Sequence, residues 1–339
     1  MARTDLNAVT RWITAAALQH PDALAAHLMQ RLSVSRRTAG KLLGRLVAAQ
    51  WLVREGSPRR PVYRPGLLRQ AVHRYALQDL DEALPWSRDF APLFVLSPTV
   101  ARNTQHAFTE LLNNAIDHSG GSCVTVSVRQ TPTHLQLLVS DDGCGLFERI
   151  DQTFKIGDPA LAMLELSKGK LSSQPERHTG RGLYFTARLA DVLDLHANSH
   201  AFQHRAWQRH RWQPTRPATR VGTSVFVAIA LDSSLTLDEV MRSHSLDGAG
   251  YAFERTVVPL QVLTAPGSAL ESRAQAKRVA ARLAQFRRAE IDFDGIAEVG
   301  HGFMDELFRV FVREHPQLEI VPTGMNPRVA ALLASVQAG

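Results

Sequence analysis

The spacing of apolar residues changes along the chain, and each change marks a different kind of element. Over residues 5–50 the period is helical. The stretch 6–18 carries an apolar face and stops at His20-Pro21, and Leu24, Ala25, Leu28 and Met29 repeat the pattern. Leu42, Leu43, Leu46 and Val47 mark a third helix, which Ser35 is placed to cap. Trp51-Leu52-Val53 and Val62-Tyr63 then read as two short strands around a tip at 55–60. Residues 67–100 read as a connector with one helix over 67–84. Ala107, Leu111, Leu112, Ala115 and Ile116 give another helical stripe, followed by alternating strands at 123–129 and 135–140. A helix over 183–193 and a strand over 224–230 complete this middle part. From Thr256 the order becomes βαβαβα: 257–263, 272–286, 290–293, 303–315, 318–321 and 327–336. That alternation predicts a small parallel sheet with helices, so the whole chain reads as a multi-domain α/β protein.

Composition narrows the class. With 45% apolar and 21% charged residues the chain is globular rather than disordered. Its longer apolar runs, such as 225–231, fall far short of the ~20 residues a membrane helix needs. The opening MARTDLNAVTRW has no apolar core before a cleavage site, so no secretory signal is read there. Two cysteines, Cys123 and Cys144, make no disulfide framework and fit a reducing compartment. The expectation is a soluble cytoplasmic protein with no membrane partner.

Charge changes the picture further. The chain holds 39 Lys and Arg against 32 Asp and Glu; residues 1–66 hold 11 and 3 of them, leaving 28 and 29 in the rest. The whole basic excess therefore sits in the first fifth. Three helices and a hairpin with that charge read as a winged helix-turn-helix whose partner is duplex DNA. Ser35, Arg36, Arg37, Thr38 and Lys41 lie at the start of the helix that such folds set against base edges. Arg59 and Arg60 at the wing tip suit phosphate contacts. A winged helix used for protein contacts is the alternative.

The middle part carries candidate chemistry. His106, Glu110, Asn114 and His118 fall at successive i, i+4 positions on one polar face. A carboxylate one turn before a carboxamide offers a general base beside a neutral oxygen ligand for Mg²⁺. The second strand runs into Asp141-Asp142-Gly143-Cys144-Gly145, where an Asp can accept from an adenine amino group and glycines admit a close ligand. His178-Thr179-Gly180-Arg181-Gly182-Leu183 opens a helix, offering free amides to phosphate. Val221-Gly222-Thr223 enters the last strand. His196, His200, His204 and His210 have no cysteine or convergent carboxylates beside them, so they are read as polar strand positions rather than a metal site.

Four boxes in this order resemble the GHKL ATPase superfamily of gyrase, Hsp90 chaperones, MutL-type repair proteins, histidine kinases and anti-sigma serine kinases. The resemblance covers about residues 100–232 and implies an α/β sandwich binding ATP and Mg²⁺ under a mobile lid. It implies Glu110 as general base and Asn114 as Mg²⁺ ligand. Asp141 would read adenine with Gly143 and Gly145 as companions, and Thr223 would lie near the base. Gly180, Arg181, Gly182 and Leu183 would form the phosphate turn. The lid would be 146–179, with Lys168 or Lys170 delivering an ammonium to the γ-phosphate.

The C-terminal pattern resembles a STAS-like domain, with IDFDGIAEVGHGFMDELFRVF the closest stretch. Phosphorylated STAS proteins carry a serine after the second strand, where this chain reads Val299-Gly300-His301-Gly302. That departure favours docking or self-association over a phospho-switch. The domains expected are a winged helix at 1–66, a connector at 67–100, a GHKL ATPase domain at 101–232 and a STAS-like domain at 250–339. The resulting reading is a DNA-binding transcriptional regulator, gated by ATP binding or slow hydrolysis. An anti-sigma-type protein serine kinase acting on a partner protein is the alternative. A two-component histidine kinase fits poorly: no dimerisation helix bearing a His precedes the site, and Glu110 stands where those kinases usually carry Asn.

Overall fold

The computed structural model describes residues 5–172, 180–208, 212–264 and 269–338. They divide into two units, Met1–Asp142 with Ser224–Ser234, and Gly143–Thr223 with Leu235–Gly339.

The first unit begins with α1 (Leu6–Gln19), α2 (Leu24–Leu32) and α3 (Arg36–Ala48), followed by an antiparallel hairpin of β1 (Leu52–Ser57) and β2 (Arg60–Pro65). Ser35 caps α3 by accepting the Thr38 N–H at 3.3 Å, satisfying an amide that has no partner within the helix. Val9, Ile13, Leu24, Leu28, Leu42, Leu43 and Leu46 close on Trp51, Leu52 and Tyr63 of the hairpin, so helices and hairpin share one core.

The connector departs from expectation. In place of a helix over 67–84 stands β3 (Arg69–Ala76), paired antiparallel with β4 (Cys123–Gln130). Eight residues find ladder partners on β4, which outweighs their modest helical preference. The Gln70 N–H donates to Thr14 Oγ1 at 3.0 Å, so β3 is bonded directly to α1. A short helix α4 (Ala83–Pro85) leads into a π turn at Trp86–Phe90. Trp86 and Phe90 pack against Phe108, with ring centroids 5.4 and 5.3 Å apart. The Tyr75 hydroxyl donates to Asp89 at 2.7 Å. The long helix α5 (Pro98–His118), capped by Ser97, lies on β5 (His134–Asp141). With β9 (Thr223–Ala230) the strand order is β3-β4-β5-β9, each pair antiparallel.

The second unit contains α6 (Leu146–Phe154), α7 (Pro159–Lys168) and α8 (Gly182–Leu189). An antiparallel set follows, β6 (Val192–Ala197), β7 (His200–Arg205) and β8 (Trp212–Pro214), then α9 (Leu237–Arg242). Next come β10 (Arg255–Pro259), α10 (Arg273–Ala280) and β11 (Arg288–Asp292). Then α11 (His301–Asp305) continues through a π turn into α12 (Phe311–Glu314), before β12 (Glu319–Thr323) and α13 (Pro327–Ala338). Strands β10, β11 and β12 are parallel and adjacent in chain order, as the βαβαβα pattern predicts. The helix expected over 272–286 is shorter: it ends at Ala280, where Ala281 leaves the helical region (ψ 131°) and Arg282 after it is left-handed (φ 61°).

The core of this parallel sheet borrows an element from earlier in the chain. Ala162, Met163 and Leu164 of α7 are each fully buried, and α7 packs on β10 and the turn Leu260–Leu263. Thr256 Oγ1 of β10 donates to the Lys168 carbonyl at 2.7 Å. The C-terminal layers therefore include a helix that lies well before residue 250. Among the described residues no helix is long and apolar enough to cross a membrane.

Candidate nucleotide-binding site

Helix α5 buries Ala107, Leu111, Leu112 and Ala115, which leaves His106, Glu110, Asn114 and His118 along another face. The Glu110 side chain is 38% exposed and Asn114 is exposed, so both can meet a ligand. His106 Nδ1 stands 4.0 Å from Glu110 Oε1, beyond hydrogen-bond reach. Burial pushes His106 down to about 4, so it is neutral at pH 7.

The two acids that end β5 differ. Asp142 accepts from the Ser122 N–H at 2.7 Å, the Cys123 N–H at 2.9 Å and the Ser122 hydroxyl at 2.6 Å. These bonds hold its carboxyl well below the usual carboxylate range and fasten the start of β4. Asp141 is buried, at 5% exposure, and beside it the hydroxyls of Ser140 and Ser224 are hydrogen-bonded across β5 and β9.

In the second unit, Gly143 is buried and Gly145 has φ 95°. A Cβ on Gly145 would stand 2.4 Å from Asn198 Nδ2. Asn198 donates from Nδ2 to the Cys144 carbonyl at 2.8 Å and accepts the Gly222 N–H on Oδ1 at 2.9 Å. It thereby ties the DDGCG turn to the VGT turn that precedes Thr223. Sequence reading passed over this residue. Its only signal was a two-residue turn, Asn198-Ser199, between two short strands, where Asn tolerates the left-handed φ of 49° it adopts.

Gly180 has φ 65°, and a Cβ there would meet the Leu171 carbonyl oxygen at 2.5 Å. Its own carbonyl accepts the Lys170 N–H at 3.1 Å. Gly182 and Leu183 open α8, with Arg181 at its N-cap. Arg181 Nε is buried and has no hydrogen-bond partner among the described residues. A guanidinium nitrogen left unsatisfied at a helix N-terminus suits an anion, so the donor set fits a phosphate. His178 and Thr179 of the same motif lie outside the described residues.

The two lysines part company. Lys168 is 1% exposed, is ion-paired with buried Glu165, and donates to the Ala281 carbonyl at 2.9 Å. Burial pushes the lysine down and the glutamate up. The expectation that Lys168 could reach a γ-phosphate is therefore not met here: six of the ten α7 residues are buried, and Lys168 goes into the core with them. Lys170 Nζ donates to the Gln285 carbonyl at 2.6 Å and lies 4.2 Å from the Phe286 ring centroid. Burial, and Arg181 close by, lower its pKa to about 8.

The remaining sites lie elsewhere. Arg36, Arg37 and Lys41 are exposed on α3, with Thr38 half-buried, and Arg59 and Arg60 are exposed at the hairpin tip. Arg64 is paired with Glu55 at 2.8 Å. His196 Nδ1 accepts the Ala218 N–H at 3.1 Å, His204 is buried against Trp212, and His210 lies outside the described residues. Within Val299-Gly300-His301-Gly302, a Cβ on Gly300 would stand 2.7 Å from the Glu271 Cα, so Gly300 has no room for a side chain.

Compared with family models, residues 99–232 match the histidine kinase-, DNA gyrase B- and HSP90-like ATPases. Residues 275–330 match a STAS-like domain of unknown function. A search of curated proteins finds no match. The chain thus combines, in a multi-domain α/β fold, a GHKL-type ATPase domain over 99–232 and a STAS-like domain over 275–330.

Proposed function

We propose that this chain is a DNA-binding regulator whose state is set by ATP and Mg²⁺. One observation carries the reading. The helices and hairpin that expose Arg36, Arg37, Lys41, Arg59 and Arg60 are bonded, through Thr14 and Gln70, to the sheet on which α5 lies. These cationic helices and hairpin and the helix bearing Glu110 belong to one unit, within which a change at either can bias the other. GHKL domains bind ATP, generally with Mg²⁺, and the residues present suit both. Asp141 accepts from the adenine amino group, Gly143 and Gly145 admit the ring, and Thr223 lies near it. Gly180, Arg181, Gly182 and Leu183 present phosphate donors, and Asn114 gives Mg²⁺ an oxygen ligand. Glu110 takes the proton of a water attacking the γ-phosphate.

The test is DNA affinity of Glu110→Ala, which should bind ATP without hydrolysing it, measured with ATP, with ADP and without nucleotide. A regulator requires the states to differ by about 1–3 kcal/mol, and linkage requires DNA to alter ATP affinity by the same factor. Identical affinities in all three would sink the reading.

The STAS-like domain favours a second reading, an anti-sigma-type serine kinase in which Glu110 deprotonates a partner's hydroxyl. The absence of a hydroxyl from Val299-Gly300-His301-Gly302 removes the obvious substrate in cis. Label from γ-labelled ATP separates the two: it ends in free phosphate for an ATPase and on protein for a kinase.

A further inference from the structure

Lys170 is held in an unusual way. Its backbone has φ 61°, a left-handed conformation that an L side chain enters at a cost, and its N–H is fixed on the carbonyl of Gly180. Its ammonium points the other way in allegiance: it donates to the Gln285 carbonyl and lies over the ring of Phe286, just before β11 of the STAS-like layers. Arg181, the residue after Gly180, has an unsatisfied buried Nε and its guanidinium carbon 5.5 Å from the Phe253 ring centroid. Two cations therefore flank the phosphate turn, and one of them is tethered to the C-terminal domain.

We propose that Lys170 is shared between two claimants, the C-terminal domain at Gln285 and Phe286 and the terminal phosphates of the nucleotide at the Gly180-Arg181 turn. This rests on the ATP reading above and adds its regulation. The two claims oppose each other, because the ammonium leaves the carbonyl and ring to meet a phosphate. Whatever tightens the C-terminal domain around Lys170 weakens triphosphate binding, and whatever loosens it strengthens that binding. The effect is larger for ATP than for ADP, since the third phosphate adds charge for the ammonium to meet.

The test is a double-mutant cycle on the full chain, read by calorimetry with ATP and with ADP in Mg²⁺. Phe286→Leu removes the ring face but keeps an apolar side chain in the core, and Phe286→Met is a second version should the first fold poorly. Either should tighten ATP about threefold to tenfold, with a smaller gain for ADP, on the scale of a lost cation–π contact. Lys170→Met should weaken ATP, and in its presence Phe286→Leu should change nothing. Unchanged or weaker ATP binding by folded Phe286 variants overturns the proposal, as does wild-type ATP affinity in Lys170→Met. A wild-type chain that binds no nucleotide at all would instead remove the ATP reading, and this regulation with it.

Discussion

Asn198 and Gly222 exchange two hydrogen bonds, from the glycine N–H to Asn198 Oδ1 at 2.9 Å and from the Asn198 N–H to the glycine carbonyl at 3.2 Å. With its third bond, to the Cys144 carbonyl, Asn198 makes two loops that are far apart in sequence behave as one. Asn198→Ala should cost about 1–3 kcal/mol, because the Cys144 carbonyl and Gly222 amide lose their partner. Urea unfolding measures that cost, and calorimetry should show ATP affinity at least ~10-fold weaker, the equivalent of 1.4 kcal/mol. Asn198→Asp, which keeps the acceptor but not the donor, should fall between. Wild-type ATP affinity in the alanine variant would free these turns from any part in nucleotide binding.

The adjacent acids should separate cleanly. Asp141→Asn should abolish ATP binding, since an amide replaces the carboxylate proposed to accept from adenine. Asp142→Asn should leave ATP binding largely intact and lower stability, because it weakens bonds that fasten Ser122 and Cys123. The carboxyl of Asp142 is held low, so its contribution is present above the ordinary carboxylate pKa and is lost as pH falls through and below it. Thermal melts of both variants at pH 7 and pH 3 check the assignment, and equal loss of ATP binding would contradict it.

On α5, Glu110→Ala should bind ATP and hydrolyse it at least ~100-fold more slowly, the scale of a lost general base. Asn114→Ala should weaken binding mainly when Mg²⁺ is present. Phosphate release and calorimetry with and without Mg²⁺ distinguish them. Turnover at the wild-type rate in both would mean that this helix does not carry the chemistry.

His106 gives a pH signature. Its folded pKa of about 4 lies below its ordinary 6.5, so the unfolded chain binds more protons between those values. Stability contributed by the neutral ring is full above pH 6.5 and declines as pH falls toward 4, by roughly 1–3 kcal/mol. His106→Gln should flatten that decline, read as denaturation midpoints at pH 7, 6 and 5. An identical slope in the variant would show that the ring is not buried as described.

For the basic face, DNA binding by the full chain should weaken steeply with salt, since phosphate contacts release counterions. Arg59→Ala and Arg60→Ala should each lower the salt slope by about one unit, whereas Arg36→Ala or Arg37→Ala should relax sequence preference by about 1–3 kcal/mol. Binding that ignores salt would point to a protein partner for this face.

Periodicity and motif order were enough for the parts in which neighbours in sequence are neighbours in space. The Leu42, Leu43, Leu46 stripe, the Ser35 cap, the i, i+4 spacing of Glu110 and Asn114, and the βαβαβα order are all local patterns, and the structure shows each. What tertiary contact decided was hidden for the same reason. Residues 69–76 are a strand because β4 offers an edge, although their own pattern suits a helix. Asn198 matters through bonds to Cys144 and Gly222, which lie 54 and 24 positions away. Lys168 and Lys170 look alike along the chain, two residues apart beside one glycine. Packing separates them: α7 carries Lys168 into the core, while the turn at Gly169 leaves Lys170 between Gly180 and the ring of Phe286. The free energy of a buried or half-buried charge depends here on partners more than a hundred residues away, and no local pattern encodes them.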